Sequence, residues 1–463
     1  MRRREFIKQM LFSSMALTAS RFSHALPIAQ TQQQWLDSLD IRYNKLERSQ
    51  LSRHIFIFLY GGASELVGNL SNLAEMQKKE ANVRYSGIFD GPGAITNDYF
   101  WRDAGGNILQ RMLDAGDASV YRTMYRKLDD NRAHFRSQSQ NLKGATDMDK
   151  PGLAATLAYL IQRFELLESL APADELQLPF ISFDADPRVF AGSFVAAQQF
   201  QAVGLTGQSQ HPYAAVRLNN FDANVDDRFR DFIRAKIRSS TADTELKQLL
   251  QKRDVYNQIL TQMLDEDAIK LKINQFSGRL LPADAINYAD NLIAKQLRSA
   301  VSLMLENPQT LFAFIGEGAG TWDDHSSALD VYPIRMRQLM EAINNAVRHL
   351  KGARLAGVSH AGQIKIHIIS EFGRNLVLNN AKGWDHGNNG NYMTFAGWDV
   401  RSDLGKVVGR TELAQEGVTR IYTRPTASSY TFEPFALASS IYQDFGIQNP
   451  QVITGVNAIN QFA

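Results

Sequence analysis

The chain has 463 residues, with 50 basic and 48 acidic side chains, 44% apolar and 10% aromatic content, and no cysteine. A balance so close to neutral excludes the basic surface that nucleic acid or an anionic membrane selects, while the apolar share is that of a globular protein with a large core. Without cysteine there is no disulfide, zinc finger or thiol chemistry, so any metal must be held by oxygen and imidazole ligands.

Met1-Arg2-Arg3-Arg4-Glu5-Phe6-Ile7-Lys8, followed by a short apolar run from Met10 to Leu17, reads as a twin-arginine export signal. The run is shorter than the roughly 20 residues that span a bilayer. Ser23-His24-Ala25 offers small residues where a signal peptidase cuts, so residues 1–25 are expected to leave. Their removal takes Arg2, Arg3, Arg4, Lys8 and Arg21 from the 50 basic residues and Glu5 from the 48 acidic ones, for a net charge of about −2. A chain with this signal folds before export. The mature protein is therefore expected in the periplasm or outside the cell, with no transmembrane segment. Residues 26–50 read as a polar lead-in.

His54 to Leu59, Ala118 to Tyr121, Phe180 to Phe183, Leu311 to Ile315 and Ile364 to Ile369 are short apolar runs that read as buried strands. Helical patterns separate them, among them Gly152 to Leu170 and Leu329 to Leu350. Strands alternating with helices predict an α/β fold, a mostly parallel central sheet flanked by helices, formed by residues 51–221 and 309–463. Between them, residues 222–308 carry apolar residues at three- and four-residue spacings, such as Leu246, Leu249, Leu250 and Ile286, Ala289, Ile293, Leu297. That segment is expected to be a helical insertion, a solvated appendage packed on the sheet's edge or else a lid or partner-binding arm.

In sheets of this kind sites form beyond the carboxyl ends of the strands. After Ile315 comes Gly316-Glu317-Gly318-Ala319-Gly320-Thr321-Trp322-Asp323-Asp324-His325. After Ile369 comes Ser370-Glu371-Phe372-Gly373-Arg374, and a later loop holds Gly383-Trp384-Asp385-His386. Asp323, His325, Glu371, Asp385 and His386 make a hard oxygen and imidazole set that suits a divalent cation, Zn, Mn or Mg. Arg132, Arg136 and Ser137, around His134, form a further cluster able to receive an anionic substrate, because arginine offers paired donors to phosphate or sulfate oxygens. The bland alternative is a pair of surface charges at a helix start. His54 and His367 lie inside apolar runs and read as satisfied core histidines.

Phe58-Leu59-Tyr60-Gly61-Gly62, Ala133-His134-Phe135, Trp322-Asp323-Asp324-His325, Ser370-Glu371-Phe372-Gly373-Arg374 and Asp385-His386-Gly387, in that order, resemble the domain-of-unknown-function 1501 family. That family consists of exported proteins placed in the alkaline phosphatase and sulfatase superfamily. The resemblance implies an alkaline phosphatase-like fold, with Asp323, His325, Glu371 and His386 at metal-ligand positions. It also implies an active site containing Arg374, with His134 where the nucleophile stands.

The match is incomplete: Gly61-Gly62-Ala63-Ser64 replaces an aspartate, Phe372 replaces a histidine, and His134 replaces serine or threonine. Two expectations follow. One is an exported metal-dependent hydrolase of phosphate or sulfate esters, with His134 or a nearby serine as nucleophile. The other is a catalytically degenerate relative that serves as a binding or assembly factor at the cell envelope.

Overall fold

The computed structural model describes residues 32–65, 100–170, 176–183, 188–192, 203–204, 235, 265–316, 321–400, 404–417 and 420–460. The expected export signal, most of residues 205–264 and Glu317 to Gly320 lie outside them. In chain order the elements are β1 (Arg53–Leu59), α1 (Gly106–Asp114), β2 (Ala118–Tyr125), α2 (His134–Lys143), α3 (Leu153–Phe164), β3 (Phe180–Ser182) and β4 (Val203–Gly204). There follow α4 (Glu266–Ser277), α5 (Leu292–Glu306), β5 (Phe312–Ile315), α6 (Ala328–Leu355), β6 (Ile364–Ser370), β7 (Arg374–Leu378) and β8 (Trp384–His386). The chain ends with β9 (Asn389–Ala396), β10 (Val407–Val408), β11 (Thr411–Glu416), β12 (Arg420–Pro425), α7 (Ala436–Asp444) and α8 (Gln451–Thr454).

Among the described residues eight strands form one sheet in the order β10-β2-β9-β6-β1-β5-β3-β4. Pairing is parallel except for β9, which runs antiparallel to both β2 and β6. The architecture is thus the expected α/β one. Side-chain alternation explains why the central strands are apolar throughout: Ile55 and Ile57 of β1 enter one core, Phe56 and Phe58 the other. The first core is covered by α1, α4, α5 and α6, and the second by α3 and α7. Each fully buried Ile, Leu or Phe stabilises by about 1.5–3 kcal/mol, so the two cores hold the strand ends firmly in register.

Some boundaries differ from the sequence reading. β2 continues four residues past Tyr121: the buried Arg122 and Thr123 fall in an irregularity of the β2–β9 ladder, which resumes at Met124 opposite Gly390. α3 stops at Phe164, where Glu165 turns left-handed at φ 49°. Within the segment expected as an insertion, α5 buries Ile293, Leu297, Val301 and Met304 in the same core as the sheet. Among the described residues no helix is long and apolar enough to cross a membrane.

Candidate metal centre

Leu59 pairs with Ser370 and Ile57 with Ile315, so parallel β1, β5 and β6 release their following loops at one edge of the sheet. Gly61, just beyond β1, has φ 101°, and a Cβ there would collide with the backbone nitrogen of Asp323. Only glycine allows these two loops to meet this closely. The β7–β8 ladder places Arg374 opposite His386, which brings a fourth segment to the same edge.

The last contribution is His134, the first residue of α2. This helix is poor in apolar residues, and its buried face is held by amides. Asn141 Nδ2 donates to the carbonyls of Ser370 and Glu371 at 3.0 and 3.3 Å, and Arg126 Nη1 donates to Asn141 Oδ1 at 2.9 Å. Helix α2 is thereby clamped to the end of β6.

His134, Asp323, His325 and His386 each present one ligand atom, and these atoms all lie within 4.8 Å of one another. Asp323 Oδ1 stands 3.4 Å from His134 Nε2, 3.1 Å from His325 Nε2 and 4.0 Å from His386 Nε2. The Nε2 atoms of His325 and His386 are 3.0 Å apart. Ligands bound at about 2.0–2.1 Å around a tetrahedral zinc are separated by roughly 3.3 Å, so the spacing fits a metal's first shell.

The other face of each imidazole is tied down. His134 Nδ1 lies 2.7 Å from Glu371 Oε2, His325 Nδ1 3.3 Å from Asp385 Oδ1, and His386 Nδ1 2.7 Å from the carbonyl oxygen of Arg132. These oxygens accept, so each Nδ1 carries a proton, and each Nε2 is the atom turned inward, where a neutral ring offers a lone pair. Outer-shell acceptors of this kind orient histidine ligands in metalloproteins.

Electrostatics treats the rings differently. Burial, followed by the charges of Arg374 and His134, lowers the pKa of His386 to about 4, which keeps that ring neutral. The hydrogen bond to Glu371 raises the pKa of His134 against the opposing effect of burial. Burial pushes the Asp323 carboxyl up, but the hydrogen bond and charge of Arg374, with His134 and His325, outweigh it and hold the group below the ordinary aspartate range. Three imidazoles and one carboxylate suit zinc or manganese; magnesium, which favours oxygen ligands, fits poorly.

The structure therefore regroups the expected residues. Asp323, His325 and His386 converge, and His134, expected as a nucleophile, joins them with its ring nitrogen. Glu371 and Asp385 stand one bond further out, each behind a histidine. Glu371 is fully buried, and its Oε1 accepts from the Gly61 amide and from Gln138 Nε2 at 2.7 Å.

Arg374 is buried. Its donors go to the carbonyls of Gly62, Trp384, Gly61 and Trp322 and to Asp323. Ser137 is buried with its hydroxyl on the Asn131 carbonyl, Arg136 pairs with Asp129, and Arg132 contributes its carbonyl oxygen.

Gln138, which holds Glu371 and in turn accepts from Arg188 Nη2 at 2.7 Å, was not singled out by the sequence. Its position four residues after His134 on a helix is the signal that places both on one face. Glu65 was also missed. It is fully buried behind Arg374, whose amide it accepts at 3.2 Å, and burial raises its pKa to about 7 against the hydrogen bond from Thr423.

No curated protein matches the chain. A family described as "Protein of unknown function (DUF1501)" matches residues 52–458, a span that includes every residue of the centre. The chain belongs to that family.

Proposed function

We propose that this protein is an exported metal-dependent hydrolase acting on phosphate or sulfate esters, with His134, Asp323, His325 and His386 as the ligands of a divalent cation. The observation that carries the reading is the set of three imidazoles whose Nδ1 atoms are each bonded to an oxygen acceptor while their Nε2 atoms gather around one carboxylate oxygen. Without a cation the Asp323 carboxylate rests on Arg374, and the Nε2 atoms of His325 and His386, 3.0 Å apart, need a proton or a metal between them. A divalent cation there would act as a Lewis acid on an ester oxygen and stabilise the charge that develops in hydrolysis.

The chain's own groups define the rest. Asp323 and His325 are a little under half exposed, so an ester can reach the centre from solvent. Glu371 fixes His134, and Phe372 packs its ring against His134 and His386 at centroid distances of 5.1 and 4.5 Å, which keeps water from the inner side. Twin-arginine export of a folded, metal-loaded chain agrees with this reading.

One observation favours a second reading, a metal-holding binding or assembly factor. The hydroxyl of Ser137, three residues after His134 on the same helix, is buried and already donates to the Asn131 carbonyl.

Protein purified after native export, assayed for metal by elemental analysis and for hydrolysis of aryl phosphates and sulfates, separates the two. Metal together with chelator-sensitive hydrolysis supports the hydrolase. Metal with no turnover of any ester supports the binding protein. A metal-free sample that melts at the same temperature with and without added zinc would rule out both.

A further inference from the structure

The guanidinium of Arg374 is the least ordinary neighbour of the centre. Nε donates to the Gly62 carbonyl at 2.6 Å, Nη1 to that of Trp384 at 2.8 Å, and Nη2 to those of Gly61 and Trp322 and to Asp323 Oδ1, the last at 2.8 Å. The oxygen acceptors are unevenly shared, one on Nε, one on Nη1 and three on Nη2, and Nη1 also lies 3.5 Å from His325 Nε2. Arginine stays charged in a protein, so a permanent positive charge is fixed against the same carboxylate oxygen that the three imidazoles surround. It offers charge to the centre, and among the described residues one N–H of Nη1 has no oxygen acceptor and is turned toward His325.

The remaining acids are committed elsewhere. Both oxygens of Glu371 accept protein N–H groups, Asp385 Oδ1 serves His325 and Asn379, and Asp324 pairs with Arg335. Phe372 occupies the space beside His134 and His386. Among the described residues the group around Asp323 is the one able to hold a cation.

We infer that the centre takes a single divalent cation, with Arg374 as a built-in second positive charge, and that it is matched to an ester carrying one negative charge, a sulfate monoester or a phosphodiester. The inference rests on the metal reading above and narrows its substrate class. Two charges of the cation and one of Arg374 stand against the carboxylates of Asp323, Glu371 and Asp385, with the imidazoles neutral. A centre balanced in this way accommodates one further negative charge more readily than the two of a phosphate monoester, which a second metal would be needed to offset.

The test is metal stoichiometry on the natively exported chain, followed by replacement with cobalt(II). One equivalent per chain is expected. Two equivalents would overturn the inference and leave the metal reading standing, whereas none would overturn both. Titrating the cobalt protein near pH 8 with phenyl sulfate, diphenyl phosphate and phenyl phosphate, and following the visible absorption of the ion, then tests the charge match. At least one of the two singly charged esters should perturb the band at a tenfold lower concentration than phenyl phosphate, and whichever does so identifies the source. Equal or tighter binding of phenyl phosphate would overturn the charge match.

Discussion

His54 and His367 lie within β1 and β6, the same two strands whose carboxyl ends lead to Gly61 and Glu371 of the candidate metal centre. Inside the sheet, His54 Nδ1 is 2.9 Å from His367 Nε2, and His367 Nδ1 is 2.8 Å from the Tyr392 hydroxyl. That chain runs head to tail, so a donor can meet an acceptor at each step. At the strand ends the rings face the other way. Every Nδ1 points outward to an oxygen, and the inward Nε2 atoms of His325 and His386 oppose each other at 3.0 Å. Close histidines alone therefore do not signal a metal. What matters is which atoms meet: in the sheet an Nδ1 faces an Nε2, whereas at the strand ends two Nε2 atoms face each other while their Nδ1 atoms are bonded to oxygens.

The largest expected effect separates the two groups directly. His386→Ala removes a ligand and the ring that faces His325, and should leave the protein without stoichiometric metal. His367→Ala breaks the buried chain, strips the Tyr392 hydroxyl of a partner, and should cost about 1–3 kcal/mol of stability while metal content stays unchanged. Elemental analysis and urea unfolding of both variants check the pair. Loss of metal in His367→Ala with full metal in His386→Ala would reverse the comparison.

Glu65 sharpens the contrast between buried acids. Glu371 meets an imidazole, whereas Glu65 meets only neutral donors, Thr423 Oγ1 at 2.6 Å and the Arg374 amide. Burial raises the Glu65 pKa from 4.5 to about 7. Below pH 4.5 the group is protonated whether the chain is folded or not. Between pH 4.5 and 7 the unfolded chain gives up the proton that the folded chain keeps, so stability falls as pH rises, by roughly 3 kcal/mol in all. Glu65→Gln should remove this decline. The unfolding free energies of parent and variant, followed from pH 4.5 to 8, should differ in slope and in that direction; parallel curves would show that Glu65 does not titrate in this window.

Much of the fold was legible because it depends on repetition. The apolar runs at His54 to Leu59 and Ile364 to Ile369 can be buried only as central strands, and both are. β9 was not legible: Asn389, Gly390 and Asn391 open it with polar and small residues, and its place between β2 and β6 is set by sheet pairing. The candidate centre was legible in residue type and in its position at strand ends, but not in depth. Nothing in Ser-Glu-Phe-Gly-Arg reveals that the glutamate faces backward to His134, or that the arginine is enclosed by carbonyls. Those facts depend on how closely Gly61 lets two loops approach.

The smallest effects concern the two carboxylates that orient histidines, and they should be unequal. Glu371 is fully buried, bonds His134 at 2.7 Å, and is itself held by Gly61 and Gln138. Asp385 is more than half exposed and bonds His325 at 3.3 Å. Solvent screens the second interaction and can replace it, whereas nothing replaces the first. Glu371→Gln should therefore weaken metal binding by about 10–100-fold, the range usual for orienting partners. Asp385→Asn, whose amide oxygen can still accept from Nδ1, should weaken it by less than about tenfold. Competition with a calibrated chelator measures both. If Asp385→Asn proved the more damaging, His325 rather than His134 would be the ligand whose orientation limits the centre, and the buried hydrogen-bond chain from Gln138 through Glu371 would serve α2 instead of the metal.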